Sequence, residues 1–536
     1  MKNNYLTLSQ IGLYNPQRLS DEAVQDLFVV RKKLFEFLMQ KIKTEQPNSI
    51  PQHYLIIAQR GMGKTTLLKR VEVELRKAEN KTQFIPLLFP EEQYNLKNLA
   101  EFWLNSLDAL ADTLEFEKET EAVKLVDNKV RELEKIKNDE ELAKEAFQFL
   151  KTFTQKVGRR PVLLIDNMSF IFDRLEKSEQ HKLRAWLMEN ASPILLGASA
   201  VAIEDTYDYG AAFYDAFQIY YLQKLSFEEL LEILTNLAKL TNSEHLIQSI
   251  NHEKARIKTL YQLSDNSVRF AVILFKIIIN GFSNNIIDDL ESILEEFTPT
   301  FKAQFEELPT QMQIIVDAIA LHWDPINIEQ LRNETRYENN QLSPQLKRLY
   351  ELGWIEKLDA FEAKGNAYQI SNRFFNIWYI IRRSNRREKA NVHVLALFLV
   401  NSFDENSISS DDSQVYLLNE FDFQEKESNS IRNIISELEK KNLGIAEKYL
   451  LLELKRNILN IEYESNWWRF GAVATKLGYG KWLTEILAEK GFDVILAPYY
   501  VALKAMNEKD QEAYLNSKAV EIREPARKLI ELMKKY

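Results

Sequence analysis

Leu55-Ile56-Ile57-Ala58-Gln59-Arg60-Gly61-Met62-Gly63-Lys64-Thr65-Thr66 decides the reading of this chain. Three apolar residues predict a strand. Two glycines predict a tight loop, and the pattern from Leu67 to Leu75 predicts a helix. Strand, glycine loop, Lys-Thr and helix in that order make a phosphate-binding loop. Gly61 and Gly63 let backbone N–H groups turn onto phosphate oxygens. The helix N-terminus adds partial positive charge. Lys64 has the reach for β- and γ-phosphates, and Thr65 the hydroxyl for Mg²⁺. Ala58, Arg60, Met62 and Thr66 complete the loop as phosphate-contacting backbone. Ala58 stands where the motif usually begins with glycine, which requires that residue 58 have no need of a positive φ.

Val162-Leu163-Leu164-Ile165-Asp166-Asn167 reads as a buried strand ending in an acid. Asp166 at that strand's end suits Mg²⁺ held through water. Pro193 to Ser199 is a further strand, and its terminal Ser199 reads either as a γ-phosphate sensor or as a turn residue. Asp265-Asn266-Ser267-Val268-Arg269 opens a helix, and Arg269 reads either as a group reaching back to the phosphates or as an exposed helix arginine.

Short apolar runs at Leu55–Ile57, Phe84–Phe89, Pro161–Ile165, Pro193–Leu196 and Phe217–Leu222 alternate with helical stretches. This predicts an α/β fold with a five-stranded parallel sheet and the glycine loop after its first strand. The organisation expected is a helical entry over 1–53, a nucleotide core over 54–225 and a helical lid over 226–298. A winged helix is expected over 299–390 and a helical, repeat-like region over 391–536. Ser226-Phe227-Glu228-Glu229 is a capping box opening the lid. Helical patterns at 309–322, 326–335 and 341–352 followed by a charged hairpin predict the winged helix. Asp404 to Ser413 reads as a polar link.

At 536 residues the chain requires several cores. It has 45% hydrophobic and 28% charged residues, with 14 Gly and 13 Pro, and so reads as helix-rich and globular. No cysteine is present, which excludes disulfides and thiolate metal sites and fits a reducing, cytoplasmic setting. Six histidines without cysteine give no zinc pattern. The opening residues lack a signal-peptide pattern, and no apolar run is long enough to span a bilayer. The net charge of -10 argues against a nonspecific nucleic-acid coat.

With these pieces assembled, the chain resembles the AAA+/STAND class of P-loop ATPases, in particular replication-initiator-like and prokaryotic winged-helix members. Phe28-Val29-Val30-Arg31 is similar to the box that precedes the first strand in that class, with Val30 in place of glycine. The glycine loop, the Asp166 strand, Ser199 and the Asn266 to Arg269 turn match as well. Leu308-Pro309 and Arg373-Phe374-Phe375-Asn376-Ile377-Trp378-Tyr379 look like the same class downstream. The resemblance covers roughly residues 15 to 390. It implies ATP and Mg²⁺ as cofactors and a site in which Lys64, Asn167, Ser199 and Arg269 act on ATP.

Two departures bear on mechanism. Members of the class usually carry Glu at position 167 to polarise the attacking water. Asn167 cannot accept a proton, so hydrolysis is slow or another acid serves, with Asp173 and Glu204 as candidates; Asn167 as a plain helix cap is the other reading. The stretch Val201 to Tyr221, where an arginine finger for a neighbouring subunit is often found, holds no Arg or Lys. Arg184 is the substitute candidate for such a finger. The function expected is an ATP-dependent switch that engages a protein partner through its C-terminal helices, in a prokaryotic defence or mobile-element setting by analogy. The alternative is a DNA-binding ATPase of initiator or loader type, using Gln345, Lys347 and Arg348 of the winged helix. A homo-oligomer is compatible with either.

Overall fold

A computed structural model describes residues 19–90, 95–200, 212–213, 215–283, 285–360, 365–383, 392, 395–396, 428–457 and 467–535. The polar link at Asp404–Ser413 and the acid Glu204 lie outside these residues. The chain divides into two compact units, Met1–Ile247 with Asn266–Lys276, and Gln248–Asp265 with Ile277–Tyr536.

In the first unit, five parallel strands form one sheet: β1 His53–Ile57, β2 Phe84–Leu88, β3 Arg160–Ile165, β4 Ile194–Ser199 and β5 Phe217–Tyr221. Their order is β2-β3-β4-β1-β5. The middle strands are buried along their whole length, as helices on both faces require. Alternation sorts the side chains. Leu55, Ile57, Leu163 and Ile165 enter one core, with the helices Leu99–Phe116, Asp139–Val157 and Lys177–Leu187. Tyr54, Ile56, Val162 and Leu164 enter the other, with the helices Lys32–Thr44 and Lys64–Leu75. The charged stretch from Lys118 to Lys144 is carried mainly by the helix Thr120–Leu133, whose buried residues are Val126 and Leu133.

Two buried arginines fix strand β3. Arg159 makes a bidentate pair with Glu117, both contacts at 2.7 Å. Arg160 donates to the carbonyls of Gln46, Ser49 and Ser192, tying the entry into β1 to the sheet. His53 is buried beside them, and its Nδ1 accepts from Leu195 N at 3.1 Å, so the neutral ring is the native form. Burial pushes its pKa down to about 4. The unfolded chain therefore takes up this proton near pH 6.5 while the folded chain resists until about 4, and stability contributed by the neutral ring is lost as pH falls through that window. His53→Gln is expected to flatten the pH dependence of the denaturation midpoint between pH 6.5 and 4, by at most about 3 kcal/mol. An unchanged slope in that window contradicts this assignment.

In the second unit a long helix, Ile286–Glu306, leads to the helix Thr310–His322. Next come β6 Ile326–Asn327, the helices Ile328–Thr335 and Asn339–Glu351, then β7 Ile355–Asp359 and β8 Asn366–Ile370. The three strands pair antiparallel in the order β6-β8-β7. The aromatic run that follows lies in the helix Arg373–Arg383 and is core: Phe374, Phe375, Trp378 and Tyr379 are buried against Phe297, Phe301 and Phe305. Trp378 Nε1 donates to Thr298 Oγ1 at 2.9 Å, and Tyr379 donates to Asp317 at 2.7 Å.

The last helices, Trp467–Lys476 through Val520–Lys535, pack on one another. A buried ion pair, Arg373 Nε to Glu521 Oε1 at 2.8 Å, joins the two ends of the unit. Asp324 receives both Lys518 Nζ at 2.7 Å and Ala519 N at 2.9 Å. The C-terminal helices are thus fastened to the segment around residues 323 and 373 rather than tethered by sequence alone. No helix among the described residues is long and apolar enough to cross a membrane.

Candidate nucleotide site

The glycine loop leaves the C-terminal end of β1, in the middle of the sheet. Ala58 N donates to Ser199 O at 3.1 Å, so the loop starts as a continuation of the ladder. Ala58 is not among the residues of positive φ, which is why alanine fits there. Gly61 and Gly63 are, at φ 83° and 88°. Both also sit under close neighbours: a Cβ at 61 would lie 3.2 Å from Arg269 Cβ, and one at 63 would lie 3.3 Å from Val268 Cγ2. The torsion calls for glycine at both positions, and an added Cβ would also crowd these neighbours. Gly63 caps the helix Lys64–Leu75, whose first N–H groups open at the loop. Arg60 is exposed, Met62 is buried as an anchor in the core, and Thr66 is half-buried.

Lys64 folds back along the loop. Its Nζ donates to Ala58 O at 2.7 Å and to Gln59 O at 3.0 Å, and the side chain is buried. Thr65 Oγ1 donates to Asp166 Oδ2. The other carboxylate oxygen of Asp166 accepts from Asn167 N at 2.8 Å. Because β4 lies between β3 and β1, Ser199 at its end falls between Asp166 and Ala58 on the same edge of the sheet. Three strand ends therefore present lysine, hydroxyl, carboxylate and serine side by side, beside a helix N-terminus.

The fold is that of a P-loop NTPase.

The turn before the helix Val268–Asn280 is sewn onto the P-loop. Arg269 N donates to Gly61 O at 3.1 Å, Asn266 is left-handed at φ 53°, and its carbonyl accepts from Leu225 N at 2.9 Å. Of the other predicted residues, Asn167 sits at the N-cap of the helix Met168–Arg174 but makes no side-chain capping bond. Its φ of 54° is the left-handed conformation that asparagine tolerates better than glutamate. Asp173 is exposed in the last turn of the same helix. Arg184 donates to Ala212 O at 2.8 Å and so has a partner within its own chain. In the box before β1 the left-handed residue is Arg31, at φ 64°, and not Val30; Arg31 Nη2 donates to Gln223 O at 2.9 Å, beyond the end of β5. Burial lowers the Arg31 pKa, with Glu229 opposing.

One contact escaped the sequence reading. Met168 packs on Gly197, where a Cβ would meet Met168 Cγ at 2.5 Å. A glycine inside an otherwise apolar strand, Ile194–Ser199, was the available signal. Gly197→Ala is expected to displace Met168 and with it the Asn167 turn, at a cost of about 1–3 kcal/mol. A melting temperature equal to wild type would show that Met168 moves aside freely.

Among the described residues no group of three or more His, Asp or Glu is placed to hold a metal by itself. The oxygen donors Thr65 and Asp166 fit a hard divalent cation that completes its shell with water and phosphate.

No protein-family model and no curated protein matches the sequence. Solved structures do align with it. A Walker-type ATPase of Pyrococcus abyssi matches at 15% identity over 65% of this chain and 95% of its own, with a TM-score of 0.46. The ORC2 protein of Aeropyrum pernix matches at 15% identity over 72% and 96%, also with a TM-score of 0.46. The ORC1 protein of the same organism, solved in complex with DNA, matches at 12% identity over 75% and 97%, with a TM-score of 0.35.

Proposed function

We propose that this chain is an ATP-dependent molecular switch that hydrolyses ATP slowly. The observation that carries the reading is the convergence of Lys64, Thr65, Asp166 and Ser199 on one edge of the sheet. Lys64 would exchange its carbonyl partners for phosphate oxygens. Thr65 and Asp166 would hold Mg²⁺, and Ser199 and Arg269 would report the γ-phosphate. Arg269, in the first turn of the helix Val268–Asn280, is bonded through its N–H to Gly61 O, so a shift of the loop would be passed directly to that helix. Magnesium, when bound, supplies charge neutralisation between phosphates.

Asn167 makes this site a holder of ATP more than a consumer of it. Turnover is expected below about 1 per second, under the usual enzyme range. Asn167→Glu raises the rate only if the carboxylate reaches the attacking water, and it does so against the left-handed backbone. A fast wild type that Asp173→Ala slows would place the base elsewhere and remove the slow-switch reading.

In this reading residues 299–390 act as a winged helix, and the C-terminal helices engage a protein partner in the cytoplasm. The DNA-binding alternative rests on Lys347 and Arg348, exposed on the helix Asn339–Glu351. Lys347 already pairs with Glu351, and Arg332 with Glu338, which lowers the uncompensated charge on that face. DNA affinity that falls steeply with salt would favour the alternative.

A further inference from the structure

The second unit contains a cavity of about 280 Å³ whose walls come from both of its ends. The turn after the helix Thr310–His322 supplies His322, Trp323 and Asp324, and the C-terminal helices supply Asp493, Tyr500 and Lys518, with aliphatic side chains between them. Its lining is mainly apolar with a few convergent polar groups, the usual make-up of a small-molecule site, and its volume is at the small end for one.

The charges in its wall are unequal. Lys518 is engaged by Asp324 at 2.7 Å, and Asp324 is further held by Ala519 N. Asp493 has no cation within ion-pair distance among the described residues. Two further polar groups line the wall. His322 Nδ1 donates to Asp324 O at 3.0 Å. Burial, with Asp493 nearby, raises the Tyr500 pKa, and Lys518 opposes the shift. The backbone in its wall is strained: Trp323, a bulky residue, sits at φ 68° and ψ -60°. Arg373 holds it there, donating to Trp323 O at 3.0 Å with its guanidinium over the indole. A wall of apolar surface with a carboxylate outside any ion pair complements a ligand with an apolar body and a cationic head.

We propose that this cavity binds a small amphipathic amine, with its ammonium at Asp493 and its apolar body against Trp323 and Val501. Such a ligand touches both the Trp323 turn and the C-terminal helices, so its binding strengthens their attachment independently of the nucleotide.

The test is calorimetric titration of the full chain with three probes that share a phenethyl body: phenethylamine, 3-phenylpropionate and 2-phenylethanol. Phenethylamine is expected to bind with a Kd below about 1 mM and at least ten times more tightly than the other two. Asp493→Lys, at a half-buried rim position, is expected to invert the preference in favour of the carboxylate probe. Val501→Trp, which fills the cavity, is expected to abolish binding of all three. No binding of phenethylamine to the wild type overturns the proposal, as it would if the chain's own residues fill the space. Equal affinity for the three probes overturns it, and so does a preference for the amine that survives Asp493→Lys.

Discussion

Lys64→Ala is expected to weaken ATP binding at least about 100-fold, because two charge-assisted phosphate contacts of about 1.5–3 kcal/mol each are lost. The structure adds a cost beyond phosphate binding. Lys64 also bridges Ala58 O and Gln59 O, so the variant loosens the loop even without nucleotide. That internal loss is about 1 kcal/mol per bond once water enters the space that the side chain vacates, and the protein should stay folded. Isothermal titration with ATP and Mg²⁺, beside a thermal melt of the free protein, separates the two effects. Equal affinity in variant and wild type would remove the nucleotide assignment altogether.

Glu521→Ala is expected to destabilise the second unit by about 3–5 kcal/mol, since it leaves the Arg373 guanidinium buried without its counter-ion. Arg373→Met with Glu521→Leu should recover most of that loss, because two apolar side chains need no partner. The loss should appear as a lower denaturation midpoint with ATP binding intact. Truncation near residue 400 removes Glu521, Lys518 and Ala519 together, and so exposes the surface around Asp324 and Arg373. The truncated chain is expected to aggregate or to lose its second unit, rather than to yield an active core. A soluble truncation with native stability would show that these contacts contribute little.

The P-loop was legible because its logic is local: strand, two glycines and Lys-Thr lie within twelve consecutive residues. The five strands were legible because fully buried parallel strands are short apolar runs, and their ends were read to within a few residues. The strand order could not be read, and it is the order that sets Ser199 between Asp166 and Ala58. The Met168–Gly197 contact and the left-handed torsion at Arg31 depend on neighbours that periodicity does not specify. The docking of the C-terminal helices was also invisible, because Arg373 and Glu521 are separated by 148 positions and charge pairs leave no mark in a linear pattern. Asn167 was legible as a departure but not as a conformation: its left-handed φ gives a structural reason for asparagine that composition could not supply.

The placement of β1 has a consequence for how the chain is made. Tyr54 pairs with Leu196 on one side and with Gln218 on the other, so the strand that leads into the P-loop is inserted between two strands synthesised about 140 and 160 residues later. The pair β3 and β4, which is closer in sequence, can assemble sooner. At about 5–20 residues per second, β1 emerges from the ribosome well before either neighbour exists and waits with both edges open. Its apolar run His53–Ile57 is therefore the segment that needs shielding during synthesis, and the phosphate loop is among the last parts of the sheet to acquire its shape. Pulse-labelled hydrogen exchange during refolding should show amides of β1 protected after those of β3.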